Sequence, residues 1–208
     1  MRVGTWNLAG RWSTAHAAFL LALDCEVLLL TEVPRVASLS GYASHATKAD
    51  MAGGRAWAAV WSRAPLEALE DPHAASALAV VDGTTYCSSV LPWHTCGDKP
   101  WGKGTHAERM RRALEDLAAV LTPATVWGGD FNQSLEGRDY AGSSAGRATL
   151  QELIRRLDLD VPTAALSHQI DGHRSIDHIA VPAHLGVAVA RRHAAGSLSD
   201  HDAYTVGR

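Results

Sequence analysis

The sequence predicts a single domain, residues 1–208, of interleaved helices and strands: an α/β or α+β arrangement built from mixed sheets in layers. Three observations carry this. Short apolar segments of strand length recur from Arg2 to Val206, two segments between them repeat apolar residues at helical spacing, and no repeat, low-complexity tract or Pro/Ser-rich linker divides the chain. At ~150 residues per domain, 208 residues make about one large unit.

Taken in order, Arg2 to Asn7 is the first expected strand. Ser13 is placed to cap a helix from about Thr14 to Asp24, rich in Ala and Leu. Val27 to Thr31 reads as a short strand buried on both faces, and Arg55 to Ser62 puts Trp57, Ala59 and Trp61 on one side of another. Ala77 to Val81 and Thr84 to Val90 are joined through Asp82-Gly83, the pairing a type I′ hairpin turn favours because both central residues need positive φ. From Thr105 to Leu121, Met110, Leu114, Leu117 and Leu121 form an apolar stripe, with Arg109, Arg111, Arg112 and Glu115 on the wetter side and Pro123 ending the helix. Thr125 to Gly129 is a strand. Ala148 to Leu157 is a second amphipathic helix, striped by Leu150, Leu153, Ile154 and Leu157, and strands follow at Ile176 to Val181, Gly186 to Ala190 and Ala203 to Val206.

Composition excludes several classes. Hydrophobic residues at 47% and charged residues at 20% leave no room for wholesale disorder. No wholly apolar run approaches the ~20 residues of a membrane helix, and Arg2 and Asn7 interrupt any secretory core, so neither a membrane partner nor a targeting segment is expected. Cys25, Cys87 and Cys96 are odd in number and widely spaced, which argues against a disulfide framework or zinc cluster and for a reducing cytoplasm. A net charge of −3 supplies no bulk basic field for long duplex DNA, so any attraction for phosphate is local. Nothing in the sequence indicates a protein partner.

Polar residues occur where strands run out. Asn7 ends the first strand, Glu32 follows Val27 to Thr31, His94 follows Thr84 to Val90, and Asp130 and Asn132 follow Thr125 to Gly129. Asp177 lies beside Ile176 and Ile179, and Asp200 and His201 precede the last strand. If these ends meet at one sheet edge, carboxylates and an amide oxygen converge as the hard ligands that Mg²⁺ or Mn²⁺ prefers, and the expected chemistry is metal-assisted.

Five ordered motifs, Thr5-Trp6-Asn7, Thr31-Glu32-Val33, Gly128-Gly129-Asp130-Phe131-Asn132, Ser175-Ile176-Asp177-His178-Ile179 and Ser199-Asp200-His201, span positions 5 to 201. In these the sequence resembles the endonuclease/exonuclease/phosphatase superfamily, the DNase-like fold. The resemblance implies a four-layer α/β-sandwich, two central mixed β-sheets flanked by helices, with the site at the sandwich mouth. It implies Glu32 as principal ligand of a divalent metal, Asn7 beside it and Asp200 supporting the metal side. Asp130 would orient or deprotonate the attacking water, Asn132 would hold that water and a phosphate oxygen, and His201, its tautomer fixed by Asp177, would contact the scissile phosphate. His94 matches a mid-chain histidine near the leaving oxygen. The sequence departs from abasic-site endonucleases at Ala9, where those commonly carry an acidic residue, and at His94, where they use tyrosine. Only 45 residues separate Asn132 from Asp177, little chain for loops that wedge into bent duplex.

Trp6, Trp57, Trp61 and Trp127 sit in strand patterns and are expected in the core. Trp93 and Trp101 flank His94 in a Gly/Pro-rich loop with Lys99 and Lys103, so Trp93, Trp101 and Lys103 are the expected substrate contacts. Arg109, Arg111 and Arg112 are expected on a solvated face, Arg63 in a structural turn, and the histidines other than His94 and His201, His168 among them, as solvated or locally bonded groups. The expected activity is a divalent-metal-dependent phosphodiesterase of nuclease type, using an activated water on short or single-stranded nucleic acid. The alternative substrate is a small phosphate ester: a nucleotide, sugar phosphate or lipid headgroup. A binding module without activity is disfavoured because Glu32, Asp130, Asn132, Asp177 and His201 are all retained.

Overall fold

Strands that are apolar on both faces need cover on both sides, and the chain supplies it by stacking four layers. The computed structural model describes residues 2–186 and 189–207. Its strands are β1 (Arg2–Asn7), β2 (Val27–Pro34), β3 (Ala43–Ala46), β4 (Asp50–Met51), β5 (Arg55–Ser62), β6 (Leu66–Ala68), β7 (Ser76–Val81), β8 (Thr84–Val90), β9 (Val126–Asp130), β10 (Leu159–Asp160), β11 (Asp177–Pro182), β12 (Val189–His193) and β13 (Ala203–Gly207). Its α-helices are α1 (Thr14–Ala22), α2 (His106–Ala118) and α3 (Ser144–Arg156). One sheet runs β12-β13-β1-β2-β5-β3, with β4 also on β5; the other runs β10-β11-β9-β8-β7-β6. Both are mixed, since β1 is parallel to β2 and antiparallel to β13, and β9 is parallel to β8 and antiparallel to β11.

Three buried clusters fill the three interfaces. Leu20 of α1 packs with Trp6, Leu28, Leu30 and Trp61 on the outer face of the first sheet. Val3, Leu29, Val60, Ala77, Val126 and Ile179 lie between the sheets. Met110, Leu114 and Leu117 of α2 and Leu150 and Leu153 of α3 cover Cys87 and Trp127 of the second sheet. The stripes legible in the sequence are the stripes that are buried. Thr105 caps α2 through a capping box with Glu108. At α1, Ser13 stands at the N-cap position, but its hydroxyl pairs with His16 Nδ1 at 2.8 Å and makes no backbone cap.

The alternation of β2 and β5 reverses at one place. Leu28 and Leu30 share the α1 side with Val33, three residues on, and opposite them Trp61 and Ala59 share it with Ala56. The reversal falls at Glu32, whose φ of 51° breaks the extended run. Trp57 therefore leaves the face of Ala59 and Trp61, contrary to strict alternation, and packs edge-on against Trp101 at 5.1 Å. Glu32 consequently lies within β2 rather than beyond its end. Strands β3, β4, β6 and β10 have no counterpart in the sequence reading. The strand expected at Gly186 to Ala190 lies partly at Val187 and Ala188, outside the described residues; β12 begins at Val189. The Asp82-Gly83 turn has positive φ at both residues, 47° and 76°, as the type I′ geometry requires.

Gly128-Gly129 brings β9 close to its neighbours. A Cβ on Gly129, at φ 127°, would lie 2.2 Å from the Ser89 carbonyl oxygen of β8. Gly129→Ala is expected to destabilise the fold by more than ~2 kcal/mol through backbone clash and strain, read as a lower urea midpoint at unchanged m-value.

Candidate active site

Strand order brings the polar ends to one edge. Asn7 pairs with Thr31 across β1 and β2, Val90 with Asp130 across β8 and β9, and Asp130 with Asp177 across β9 and β11. Asn7, Asp130 and Asp177 are 1%, 3% and 0% exposed. Two hydrogen bonds then join the sheets: Asn7 Nδ2 donates to Asp130 Oδ2 at 3.0 Å, and His201 Nδ1, on the approach to β13, meets Asp177 Oδ2 at 2.8 Å.

Local motifs explain why these side chains hold still. Asn7 Nδ2 also reaches Glu32 Oε1 at 3.3 Å, while its Oδ1 accepts from Ala9 N–H at 2.8 Å. Ser199 Oγ donates to the Asn7 carbonyl at 2.7 Å and accepts from His201 N–H at 3.1 Å, so the serine of Ser-Asp-His ties the histidine loop to β1. Ser175, two residues before Asp177, accepts from its N–H at 3.0 Å and donates to its carbonyl at 2.7 Å. Asp130 Oδ1 accepts from Asn132 N–H at 2.9 Å, and Asn132 Nδ2 donates to the Leu91 carbonyl at 2.9 Å. Phe131 between them is fully buried against Trp127 at 4.4 Å. His178 is structural: buried between Thr163 and the Gln133 carbonyl, it is pushed down to about 4 by burial and stays neutral. Of the six non-glycine residues with positive φ among the described residues, Ala9, Glu32 and Asn132 are at this edge, the distribution expected where strain serves a site.

Electrostatics separate the two sides. Burial, reinforced by the neighbouring Asp177 carboxylate, raises the Asp130 carboxyl well above the ordinary carboxylate range. For His201 burial works against the charged form, but Asp177 and Asp130, with Asp200 further out, outweigh it and hold the imidazolium well above the usual histidine range. The edge thus carries a carboxylate poised to take a proton and an imidazolium suited to an anionic oxygen.

The Glu32 and Asp130 carboxylates offer oxygens that fit a hard divalent cation, while Asn7 turns Nδ2 to both and keeps Oδ1 on Ala9 N–H. Arg55, which the sequence reading passed over, lies with Nη2 3.3 Å from Glu32 Oε2. Asp200 is exposed and touches only Ser199 among the described hydrogen bonds, at 3.5 Å. His168 was expected to be an ordinary local histidine; instead, His168, Asp177 and His201 offer ligand atoms within 4.8 Å of one another.

The loop after β8 requires correction. Trp101 is 2% exposed, enclosed by Trp57 and Trp93 edge-on and by His73, so its indole is a core group and not a substrate contact. Trp93 is half-buried and Lys103 exposed. Arg109 and Arg112 do not form a solvated face either: Arg109 donates to the Cys96 carbonyl at 2.7 Å, and Arg112 to the Trp101 and Lys103 carbonyls at 2.9 and 2.7 Å. They staple the loop onto α2. His94 leaves the same sheet edge, is exposed, and stacks on His106 at 6.0 Å; among the described residues no hydrogen bond links its ring to Asp130, Asp177 or His201.

This fold and edge agree with the sequence: the profile of the endonuclease/exonuclease/phosphatase family matches residues 4–201. The chain belongs to that family, whose members are generally divalent-metal dependent. Among solved structures it is similar to the endonuclease domain of TRAS1, a telomere-specific non-LTR retrotransposon (19% identity, 99% of this chain and 96% of that one, TM-score 0.71). It is also similar to the AP endonuclease LMAP from Leishmania major (14%, 99% and 86%, TM-score 0.73). A third is ANGEL2, a 2′,3′-cyclic phosphatase in complex with adenosine-2′,3′-vanadate (12%, 99% and 94%, TM-score 0.54). These likenesses concern the fold. No curated protein matches the chain in sequence.

Proposed function

We propose that the protein is a divalent-metal-dependent phosphodiesterase that hydrolyses short or single-stranded nucleic acid by attack of an activated water. The observation that carries the reading is the cross-sheet meeting of the Asp177–His201 pair with Asn7, Glu32 and Asp130 at one edge. A phosphodiester is anionic and repels hydroxide, so the reaction needs positive charge on the phosphoryl oxygens and a positioned base. A Mg²⁺ or Mn²⁺ held by Glu32, with Asn7 beside it and Asp200 at the rim, supplies Lewis-acid neutralisation when bound. Asp130 takes the proton of the attacking water as its oxygen bonds phosphorus. Asn132, its Nδ2 engaged by Leu91, turns Oδ1 to that water. His201 donates from Nε2 to a non-bridging oxygen, and His94 at the mouth hands a proton to the departing ester oxygen.

Two names among the structural relatives, a retrotransposon endonuclease and an AP endonuclease, support nucleic acid as the substrate class. The net charge of −3 gives no bulk basic field for a long duplex, and Arg109 and Arg112 beside the loop are engaged internally, which supports short or single strands. Cys25, Cys87 and Cys96, free and buried, fit the reducing cytoplasm, and no helix among the described residues is long and apolar enough to cross a membrane.

The test is the protein stripped with EDTA and reloaded with Mg²⁺ or Mn²⁺, against labelled single-stranded and duplex oligonucleotides, bis-p-nitrophenyl phosphate and p-nitrophenyl phosphate. Turnover of single strands and the diester is expected only after reloading. Faster cleavage of duplex, preference for the monoester, or full turnover in EDTA overturns the corresponding part. Glu32→Gln keeps the shape but loses the charge; it is expected to remove most activity and to weaken Mn²⁺ binding in calorimetry.

A further inference from the structure

Two buried polar atoms at the active-site edge have no hydrogen-bond partner: Asp177 Oδ1 and His168 Nε2. Their residues are 0% and 4% exposed, and one ligand atom of each lies within 4.8 Å of the other's and of one of His201's, while the two orphaned atoms make no hydrogen bond to each other. A carboxylate oxygen taken out of water without a donor is costly, and so is an unpaired ring N–H, so two such groups side by side call for a joint explanation.

The loop before β11 fixes the histidine. His168 N–H donates to the His173 carbonyl at 2.9 Å, Ser175 N–H to Leu166 at 2.9 Å, and the ring stands edge-on between Tyr140 at 5.6 Å and His201 at 5.8 Å. Ile170 N–H donates to His168 Nδ1 at 3.0 Å. That bond uses the Nδ1 lone pair, and in a neutral imidazole the proton must then sit on Nε2. Burial keeps the ring toward its neutral form. Nε2 is therefore a donor with no lone pair for a cation, which argues against reading His168, Asp177 and His201 as a metal site. Both orphaned atoms are shielded from solvent, so in this arrangement His168 does not reach a substrate.

The geometry points to His168 as a positioning residue whose Nε2–H, unpaired in this arrangement, turns to Asp177 Oδ1 and so keeps Asp177 Oδ2 on His201 Nδ1. A buried carboxylate held at one oxygen only can rotate; held at both, it fixes the plane of His201. The arrangement orients one histidine by a carboxylate that a second histidine orients in turn. The kinetic part of its test rests on the phosphodiesterase reading; the spectroscopic part does not.

In the full chain labelled with ¹⁵N-histidine, NMR at pH 7 is expected to find His168 protonated at Nε2 and bare at Nδ1, with the Nε2–H signal displaced by Asp177→Asn. A proton on Nδ1, or a signal indifferent to Asp177→Asn, overturns the inference whether or not the protein cleaves anything. With bis-p-nitrophenyl phosphate, His168→Leu is expected to lower kcat by ~10–100-fold at little-changed KM, the range for loss of an outer partner. His168→Gln, which restores an N–H near the Nε2 position, should recover most of the loss, and in the Asp177→Asn background His168→Leu should add nothing. Equal losses in the Gln and Leu variants, or losses that multiply with Asp177→Asn, overturn it. If His168→Leu does not fold, the Gln variant and the tautomer decide; if the unaltered protein cleaves no phosphoester, the phosphodiesterase reading fails and the tautomer still decides the pairing.

Discussion

Replacing His201 by alanine is expected to lower kcat by more than ~100-fold, with Asp177→Asn close behind. The physical reason is the single 2.8 Å contact between them. His201 Nε2 can face a phosphoryl oxygen only while Nδ1 is engaged, and the Asp177 carboxylate both sets the ring plane and stabilises the imidazolium. Asparagine keeps the shape but loses that charge. Because the two act as one unit, the double variant should be scarcely slower than His201→Ala alone. Steady-state kinetics on bis-p-nitrophenyl phosphate read this directly, and losses that multiply would mean the histidine works without its carboxylate.

The second large effect has opposite signs for activity and stability. Asp130→Asn removes the proposed base and is expected to cost ~10³ in kcat, within the range of general-base catalysis. It also removes a buried charge beside Asp177. The folded Asp130 carboxyl titrates above its unfolded value, so the unfolded chain loses its proton first as pH rises. Below the unfolded carboxylate pKa of ~4 the two states are alike; above it the native state of the parent protein is penalised, increasingly so until the raised pKa is passed. The metal-free variant is therefore expected to melt ~2–4 °C higher than the metal-free parent at pH 7, with the difference fading as pH falls toward 4. Thermal scans in EDTA at several pH values check this. A variant that is less stable at pH 7 would mean that the contacts from Asn7 and Asn132 outweigh the cost of the charge.

What was legible in the sequence was what burial dictates. Leu28, Leu29 and Leu30 had to face two layers at once, the stripes of α2 and α3 had to meet a sheet, and the ordered motifs had to share an edge once β1, β9 and β11 were strands. The illegible parts obey weaker rules. β3 is a mostly exposed edge strand and β4 and β10 have two residues each, so neither alternation nor apolar content marks them. Trp57 escaped its face because the backbone at Glu32 enters the left-handed region, a decision made by tertiary packing. Trp101 resembled a stacking platform only because composition cannot tell an indole that faces solvent from one caged by three rings. His168 carried no spacing signal, since its place depends on a loop that turns back on itself between Thr163 and Asp177. Arg55 likewise reads as the polar start of a strand until Glu32 is placed opposite it.

The pairing of β13 between β12 and β1 has a consequence for the order of events in the cell. Arg2 lies opposite Gly207, so β1, the first of these strands to be made, waits for β13, the last of them. His201, and the serine that anchors it to Asn7, arrive with that last strand. A nascent chain can assemble the second sheet and its two helices while the first sheet still lacks β12 and β13 along the edge of β1. Contacts of such sequence separation close slowly, and the Asp177–His201 pair forms only when that edge is added.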